Sequence, residues 1–298
     1  MSERPAGEPV DLGAARPAGL VLDTPLALGE GALWDAEGGR LVCVDIKGGR
    51  ILSWQPGGAV AEIRTPGTCG FALPAAGGGF LAGIGRALCH VGDDGAVREI
   101  ARVTDAGPIR INDGTLAPDG TVWFGTMDDE ERAPLGHFFS WRPGRGLLRH
   151  AAGFVVTNGP AFAPDGTGYL TSSTDRVIHR TRLVGDGLAP PEPFAHIPPD
   201  QGYPDGMAVD DDGHLWVAHW DGFRVTRFDP DGRACGTLAV PTARVTKPAF
   251  GGPDRRMLYI TTAAIGRDLG RDPLAGQVLA ASVPVAGPAM ARARVTAP

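Results

Sequence analysis

The chain has 298 residues, a formal net charge of −6, and 43% hydrophobic against 21% charged residues. That is enough apolar material for a packed core, and it excludes a disordered chain and the strongly basic surface that nonspecific nucleic-acid binding needs. Gly 45 and Pro 27 together approach a quarter of the chain, too many for a helical bundle, and no apolar run reaches the roughly eighteen residues of a membrane span.

In chain order, residues 1–17 carry acids and prolines without a signal-peptide core and read as a disordered tail, leaving 18–298 as one domain. A turn followed by an apolar strand then recurs six times. The copies are Asp35–Val44 (DAEGGRLVCV), Gly77–Ile84 (GGGFLAGI), Asp119–Gly125 (DGTVWFG), Asp165–Thr171 (DGTGYLT), Asp212–Ala218 (DGHLWVA) and Asp254–Ile260 (DRRMLYI). Anchored on Gly38, Gly78, Gly120, Gly166, Gly213 and Arg255, the intervals are 40, 42, 46, 47 and 42 residues. Asp-Gly between apolar runs signals a hairpin, because both residues tolerate the positive φ of tight turns. A second strand follows several copies, as at Arg50–Trp54, Arg176–Arg180 and Arg224–Asp229. Several strands per unit of about 45 residues, with no amphipathic helix, describe a propeller blade. Six copies predict an all-β, six-bladed β-propeller, with Ala18–Ala27 as a candidate closing strand for the last blade. A pair of β-sandwiches explains the strands but not the sixfold spacing.

The innermost strand of each blade lines the channel, so equivalent positions of the repeat converge there. Eight residues before each anchor lie Glu30, Gly70, Asn112, Asn158, Asp205 and Lys247. Four of the six carry side-chain oxygens, and each of those is followed by Gly within two residues. Turn formation explains Asn, Asp and Gly but explains Glu30 worst. Converging carboxylates need a cation or a proton between them, and oxygen donors suit hard cations such as Ca²⁺, Mg²⁺ or Mn²⁺. Arg110 and Asn112, two apart on a strand, share a face and suit a polyhydroxylated or anionic ligand.

The chain resembles the senescence marker protein/regucalcin/gluconolactonase family of six-bladed propellers. The matching stretches are Gly29–Asp35 (GEGALWD), Arg110–Gly120 (RINDGTLAPDG), Gly125–Asp128 (GTMD), Thr157–Gly166 (TNGPAFAPDG), Asp205–Ala218 (DGMAVDDDGHLWVA) after Pro204, and Phe250–Asp254 (FGGPD). They run in order from about Leu26 to Ala280. The resemblance implies one divalent metal (Ca²⁺, Zn²⁺, Mn²⁺ or Fe²⁺) on Glu30, Asn158 and Asp205, three positions that the repeat also reaches. It implies substrate binding by Arg110 and Asn112, with Asp113 beside them. A further Glu falls on Glu130, a one-residue slip giving Glu131. The implied activity is hydrolysis of a sugar (aldono-) lactone to the sugar acid.

For that reaction the metal polarises the lactone carbonyl or lowers the pKa of bound water, and Asp205 activates water, with Asp113 as the rival base. The alternatives are a non-catalytic propeller that binds metal or a small ligand, and a hydrolase of another ester class, which predicts an apolar rim. No His cluster, G-x-S-x-G elbow or phosphate loop competes. Asp210–Gly213 reads as a solvated hairpin, Trp34, Trp123 and Trp216 as packing, and Trp220 as lying near the channel mouth. Scattered cysteines (Cys43, Cys69, Cys89, Cys235) suit a reduced, cytoplasmic protein. A self-contained propeller predicts a monomer, with neither nucleic acid nor membrane among its partners.

Overall fold

The computed structural model describes residues 9–20, 22 and 24–296. Six sheets, antiparallel but for one outer strand, surround a channel as a β-propeller. Their innermost strands are Gly29–Asp35, Cys69–Pro74, Ile109–Leu116, Thr157–Phe162, Tyr203–Val209 and Val245–Gly251. Each packs against the next, and the last returns to the first. The Thr246 hydroxyl donates to the Gly29 carbonyl at 2.5 Å across that junction. The second strands, such as Val122–Asp128 and Leu215–Trp220, follow the Asp-Gly turns as the repeat predicts. The one helix among the described residues is a 3₁₀ turn at Pro199–Gln201, and no helix is long and apolar enough to cross a membrane.

Large side chains fill the wedges between blades. Phe124 stacks on Phe139 with ring centroids 5.5 Å apart, and Trp216 meets Phe250 edge-on at 5.6 Å. Trp123 and Trp216 are fully buried and Trp34 stacks on Tyr259, so these tryptophans pack the core. Cys43, Cys69 and Cys89 are buried free thiols, and burial pushes Cys43 up to about 12.

Three differences from the sequence reading concern the ends and a turn. The first eight residues of the suggested tail lie outside the described residues, but from Val10 the chain is strand. Val10–Ala14 runs parallel to Ala234–Ala239 of blade five, with Leu12 against the core. Arg16–Pro17, rather than Ala18–Ala27, closes blade six by pairing with Leu279–Ser282. An edge position suits Pro17, which has no N–H to offer. The chain past Ser282 then leaves blade six for blades one and two, where Arg292 forks onto the Asp35 carboxylate at 2.9 Å and Ala293 pairs with Ala75. Asp210 is not solvated. It is fully buried, accepting from the Trp216 indole and Arg227 at 2.8 Å each.

Candidate functional site

Every innermost strand breaks register at the same place: Glu30/Leu33, Cys69/Phe71, Ile111/Asp113, Asn158/Ala161, Pro204/Met207 and Val245/Lys247. A bulge re-aims a side chain out of the sheet's alternation. Six bulges in one phase therefore turn one residue per blade toward the axis. The glycines beside them are space for neighbouring chain. A Cβ on Gly70 would lie 2.6 Å from the Ile111 carbonyl oxygen and 2.8 Å from that of Asn112. The Asn, Asp and Gly of these motifs thus sit within strands at bulges, not in turns before them.

Glu30, Asn158 and Asp205 come together at the floor of a cavity of about 340 Å³, 4%, 3% and 6% exposed. The Glu30 and Asp205 carboxyl groups hydrogen-bond to each other. Burial first, then the charge of Asp113, raises Glu30 to about 8, opposed in part by Lys247 and the Gly31 N–H. Burial and the neighbouring carboxylates raise Asp205 well above the usual range. Asn158 donates through Nδ2 to the Ser173 hydroxyl at 2.9 Å, and its carbonyl oxygen accepts from Asn112 at 3.0 Å.

Arg110 and Asn112 line the same cavity, one before the blade-three bulge and one within it. Arg110 donates to Asn112 Oδ1 at 2.5 Å and to Asp129 at 2.6 Å. Asn112 in turn holds the Thr157 carbonyl at 2.6 Å. Asp129 is shared with Lys47 at 2.6 Å; burial opposes its ionisation, but these two cations together hold it below its ordinary value. Neither Lys47 nor Asp129 is recognisable from the repeat, since both lie on loops outside its phase.

Two of the expected substrate residues lie elsewhere than on the cavity lining. Glu131, not Glu130, lines the cavity. The Asp128 carboxylate accepts from the N–H groups of Glu130, Arg132 and Ala133 at 3.1, 3.0 and 2.9 Å, winding the loop so that Glu131 takes φ +57°. Glu130 is left exposed and pairs with Arg132 at 3.3 Å. Asp113 does not line the cavity. It is fully buried, accepting from the Gly114 and Gly159 N–H groups at 2.7 and 3.1 Å and from the Lys247 ammonium. Both oxygens are thus engaged within the chain, by Gly114, Gly159 and Lys247, away from the cavity lining.

The cavity's apolar lining is Leu28, Met127, Val156, Tyr203, Pro204 and Trp220. Tyr203 and Trp220 pair across adjacent strands of blade five, and each is covered by a guanidinium, Arg176 at 3.9 Å and Arg244 at 4.6 Å. Trp220 therefore belongs to the cavity, as its place in the sequence suggests. The histidines do not cluster. His219, whose burial pulls it down to about 4, gives Nδ1 to the Gln201 carbonyl at 2.8 Å.

The donor chemistry fits a hard cation. Two neighbouring buried carboxyls that hold their protons offer a place where a cation can replace protons, and the Asn158 amide lines the same cavity. Among the described residues no group of three or more His, Cys, Asp or Glu side chains is arranged for a metal, so a metal at this place depends on the amide as third donor.

The family model described as SMP-30/Gluconolactonase/LRE-like region matches residues 28–264. The chain is 36% identical over 248 residues to the pentonolactonase of Haloferax volcanii, covering 82% of this chain and 84% of that protein. It is 35% identical over 290 residues to the L-arabinolactonase of Azospirillum brasilense, covering 93% and 96%. Its fold is similar to the crystal structure of a calcium-binding protein, regucalcin, from Agrobacterium tumefaciens, with a TM-score of 0.88, 25% identity and coverage of 96% and 99%.

Proposed function

The chain belongs to the SMP-30/gluconolactonase/LRE-like family, and on that footing we propose that it hydrolyses a sugar (aldono-) lactone to the sugar acid with the help of one divalent metal ion. The observation that carries this reading is the pair of touching buried carboxyls, Glu30 and Asp205, at the floor of an open polar cavity walled by Arg110 and Asn112. The lactonases among its relatives support the substrate class. The regucalcin-like fold, from a protein described as calcium-binding, supports the metal.

Glu30, Asn158 and Asp205 are the residues to hold the ion, and the chemistry it supplies when bound is Lewis-acid polarisation of the lactone carbonyl. The remaining work falls to the chain. Arg110, oriented by Asp129, and Asn112, oriented by Arg110 and Thr157, bind the ring hydroxyls. Glu131 accepts from a further hydroxyl. The apolar faces of Tyr203 and Trp220 take the C–H face of the sugar ring and keep bulk water off it. Asp205 takes a proton from the water that adds to the carbonyl carbon; the ring C–O bond breaks, and the ring oxygen leaves with a proton as the new hydroxyl. The base's role is given to Asp205 rather than Asp113 because Asp113 already accepts from the Gly114 and Gly159 N–H groups and from Lys247.

A pH-indicator assay of metal-stripped protein against gluconolactone, xylonolactone and arabinolactone, with divalent metals added back singly, tests the reading. Acid release above the spontaneous rate, restored by metal and absent in Asp205→Ala, is the expected result. Turnover by metal-supplied Asp205→Ala removes that residue from the mechanism. The apolar wall gives a second reading, hydrolysis of a less polar ester, its own observation. Turnover of phenyl acetate or an aromatic lactone in preference to the sugar lactones selects it.

A further inference from the structure

Arg176 does not line the cavity, and nothing in the reaction above uses it. It ends the turn between the second and third strands of blade four, Thr167–Ser172 and Val177–Val184. Its N–H closes that turn on the Ser173 carbonyl at 3.0 Å, and its φ there is +56°. That left-handed conformation is costly for a residue with a Cβ, whereas glycine takes it freely. A glycine would serve the turn better, so the arginine side chain calls for an account.

The side chain leaves blade four and holds one residue of blade five at two points. Its Nε donates to the Gly202 carbonyl at 3.1 Å, the oxygen of the peptide that carries Tyr203. Its guanidinium carbon lies 3.9 Å from the centroid of the Tyr203 ring, the tightest cation–ring contact among the described residues. The segment so held enters the sheet only at Tyr203: Pro199–Gln201 is the 3₁₀ turn, and Gly202 follows it at φ +79°. His219 Nδ1 donates to the Gln201 carbonyl at 2.8 Å in the same segment. Tyr203 lines the cavity two residues before Asp205, and Ser173 and Thr174, from the turn that Arg176 ends, line it as well.

We propose that Arg176 is a positioning residue for the sugar ring: by holding both the Tyr203 ring and the peptide before it, it fixes the aromatic surface against which the lactone seats. One contact would leave the ring free to swing; a planar guanidinium that donates along its edge and covers the ring with its face sets position and plane together. Tyr203 meets the sugar away from the bond that breaks, so the hold acts equally on the bound lactone and on its transition state. It therefore enters KM and leaves kcat alone. The inference rests on the sugar-lactone reading above and concerns how the ring is seated, not how the ester is opened.

The experiment measures kcat and KM, with divalent metal supplied, for whichever of gluconolactone, xylonolactone and arabinolactone wild type turns over, in wild type, Arg176→Gly, Tyr203→Leu, the double variant and Arg180→Met. Arg176→Gly suits the φ of the turn and is expected to raise KM about fivefold with kcat within about twofold of wild type. Tyr203→Leu is expected to raise KM by about fivefold or more, and the double variant to lie within about twofold of Tyr203→Leu alone, because the arginine then has no ring to hold. Arg180→Met removes a guanidinium that covers Phe194 at 5.8 Å on the same blade, with neither residue in the cavity lining, and is expected to leave KM unchanged. A merely structural arginine lowers Tm in Arg176→Gly but leaves KM alone, and that result overturns the inference. So do a loss confined to kcat, KM effects that multiply in the double variant, and a rise in KM for Arg180→Met equal to that for Arg176→Gly. Should the glycine variant not fold, Arg176→Asn, which tolerates the same φ, takes its place in the cycle. Wild type that hydrolyses none of the three lactones sinks the proposed function, and this inference with it.

Discussion

The touching carboxyls make a definite statement about stability and pH. Glu30 holds its proton in the fold up to about 8, against an ordinary value of 4.5. Unfolding between those values releases the proton, so the metal-free protein loses stability as pH rises through this window. From about pH 5.5 to 8.5 the loss from Glu30 alone is about 3 kcal/mol, at roughly 1.36 kcal/mol per pH unit below its folded value. Asp205 acts in the same direction. His219 acts against it: it stays neutral in the fold down to about 4, so stability is gained as pH rises toward its ordinary value of 6.5. Comparison with Glu30→Gln, which keeps the shape and removes the titration, cancels the histidine contribution. With an unfolding entropy of about 2.1 cal/mol/K per residue over 298 residues, 3 kcal/mol corresponds to about 5 °C in Tm. The assay is thermal unfolding of chelator-treated wild type and Glu30→Gln across that pH range, with and without a divalent metal. Without metal, the variant is expected to gain on wild type by about 5 °C from the acid to the alkaline end. Added metal is expected to raise wild type at high pH, by replacing the proton, and to leave Glu30→Gln unmoved. A Tm difference that does not change with pH refutes the reasoning, because it means that Glu30 is ionised in the metal-free fold.

Further outcomes follow from individual contacts. Asn112→Ala is expected to raise KM for a sugar lactone about tenfold and also to weaken metal binding, since Asn112 holds both Arg110 and Asn158; steady-state kinetics and calorimetry read the two effects separately. Glu131→Ala is expected to raise KM by about threefold or more, while Glu130→Ala leaves it unchanged; a larger effect at Glu130 reverses the loop assignment. Gly70→Ala is expected to cost about 2–4 kcal/mol in denaturant unfolding, because the new Cβ meets two carbonyl oxygens of the neighbouring strand within 2.8 Å.

Which of these features a reader of the sequence meets depends on whether they repeat. The Asp-Gly turn and the apolar strand after it recur because each blade solves the same packing problem, so the spacing of Gly38, Gly78, Gly120, Gly166, Gly213 and Arg255 gives the blades and their number. The bulge recurs as well, and for that reason the same phase reaches Glu30, Asn112, Asn158, Asp205 and Lys247 before any coordinates are consulted. What a period cannot carry is a partnership between one blade and another. Asp113 looks like a base beside Asn112 until Lys247, from the far side of the channel, is seen to occupy it. Glu130 and Glu131 are indistinguishable by type, and only the turn wound on Asp128 brings one of them, Glu131, to the edge of the cavity. Val10–Ala14 alternates over only three apolar positions and Arg16–Pro17 is too short to alternate at all, because backbone hydrogen bonds at sheet edges hold them, and such bonds ask little of side chains. Lys247 sharpens the point. The repeat delivers it to the channel, but it has no oxygen to offer a cation. Its place in the channel becomes intelligible only from its partner, the Asp113 carboxylate on the opposite blade.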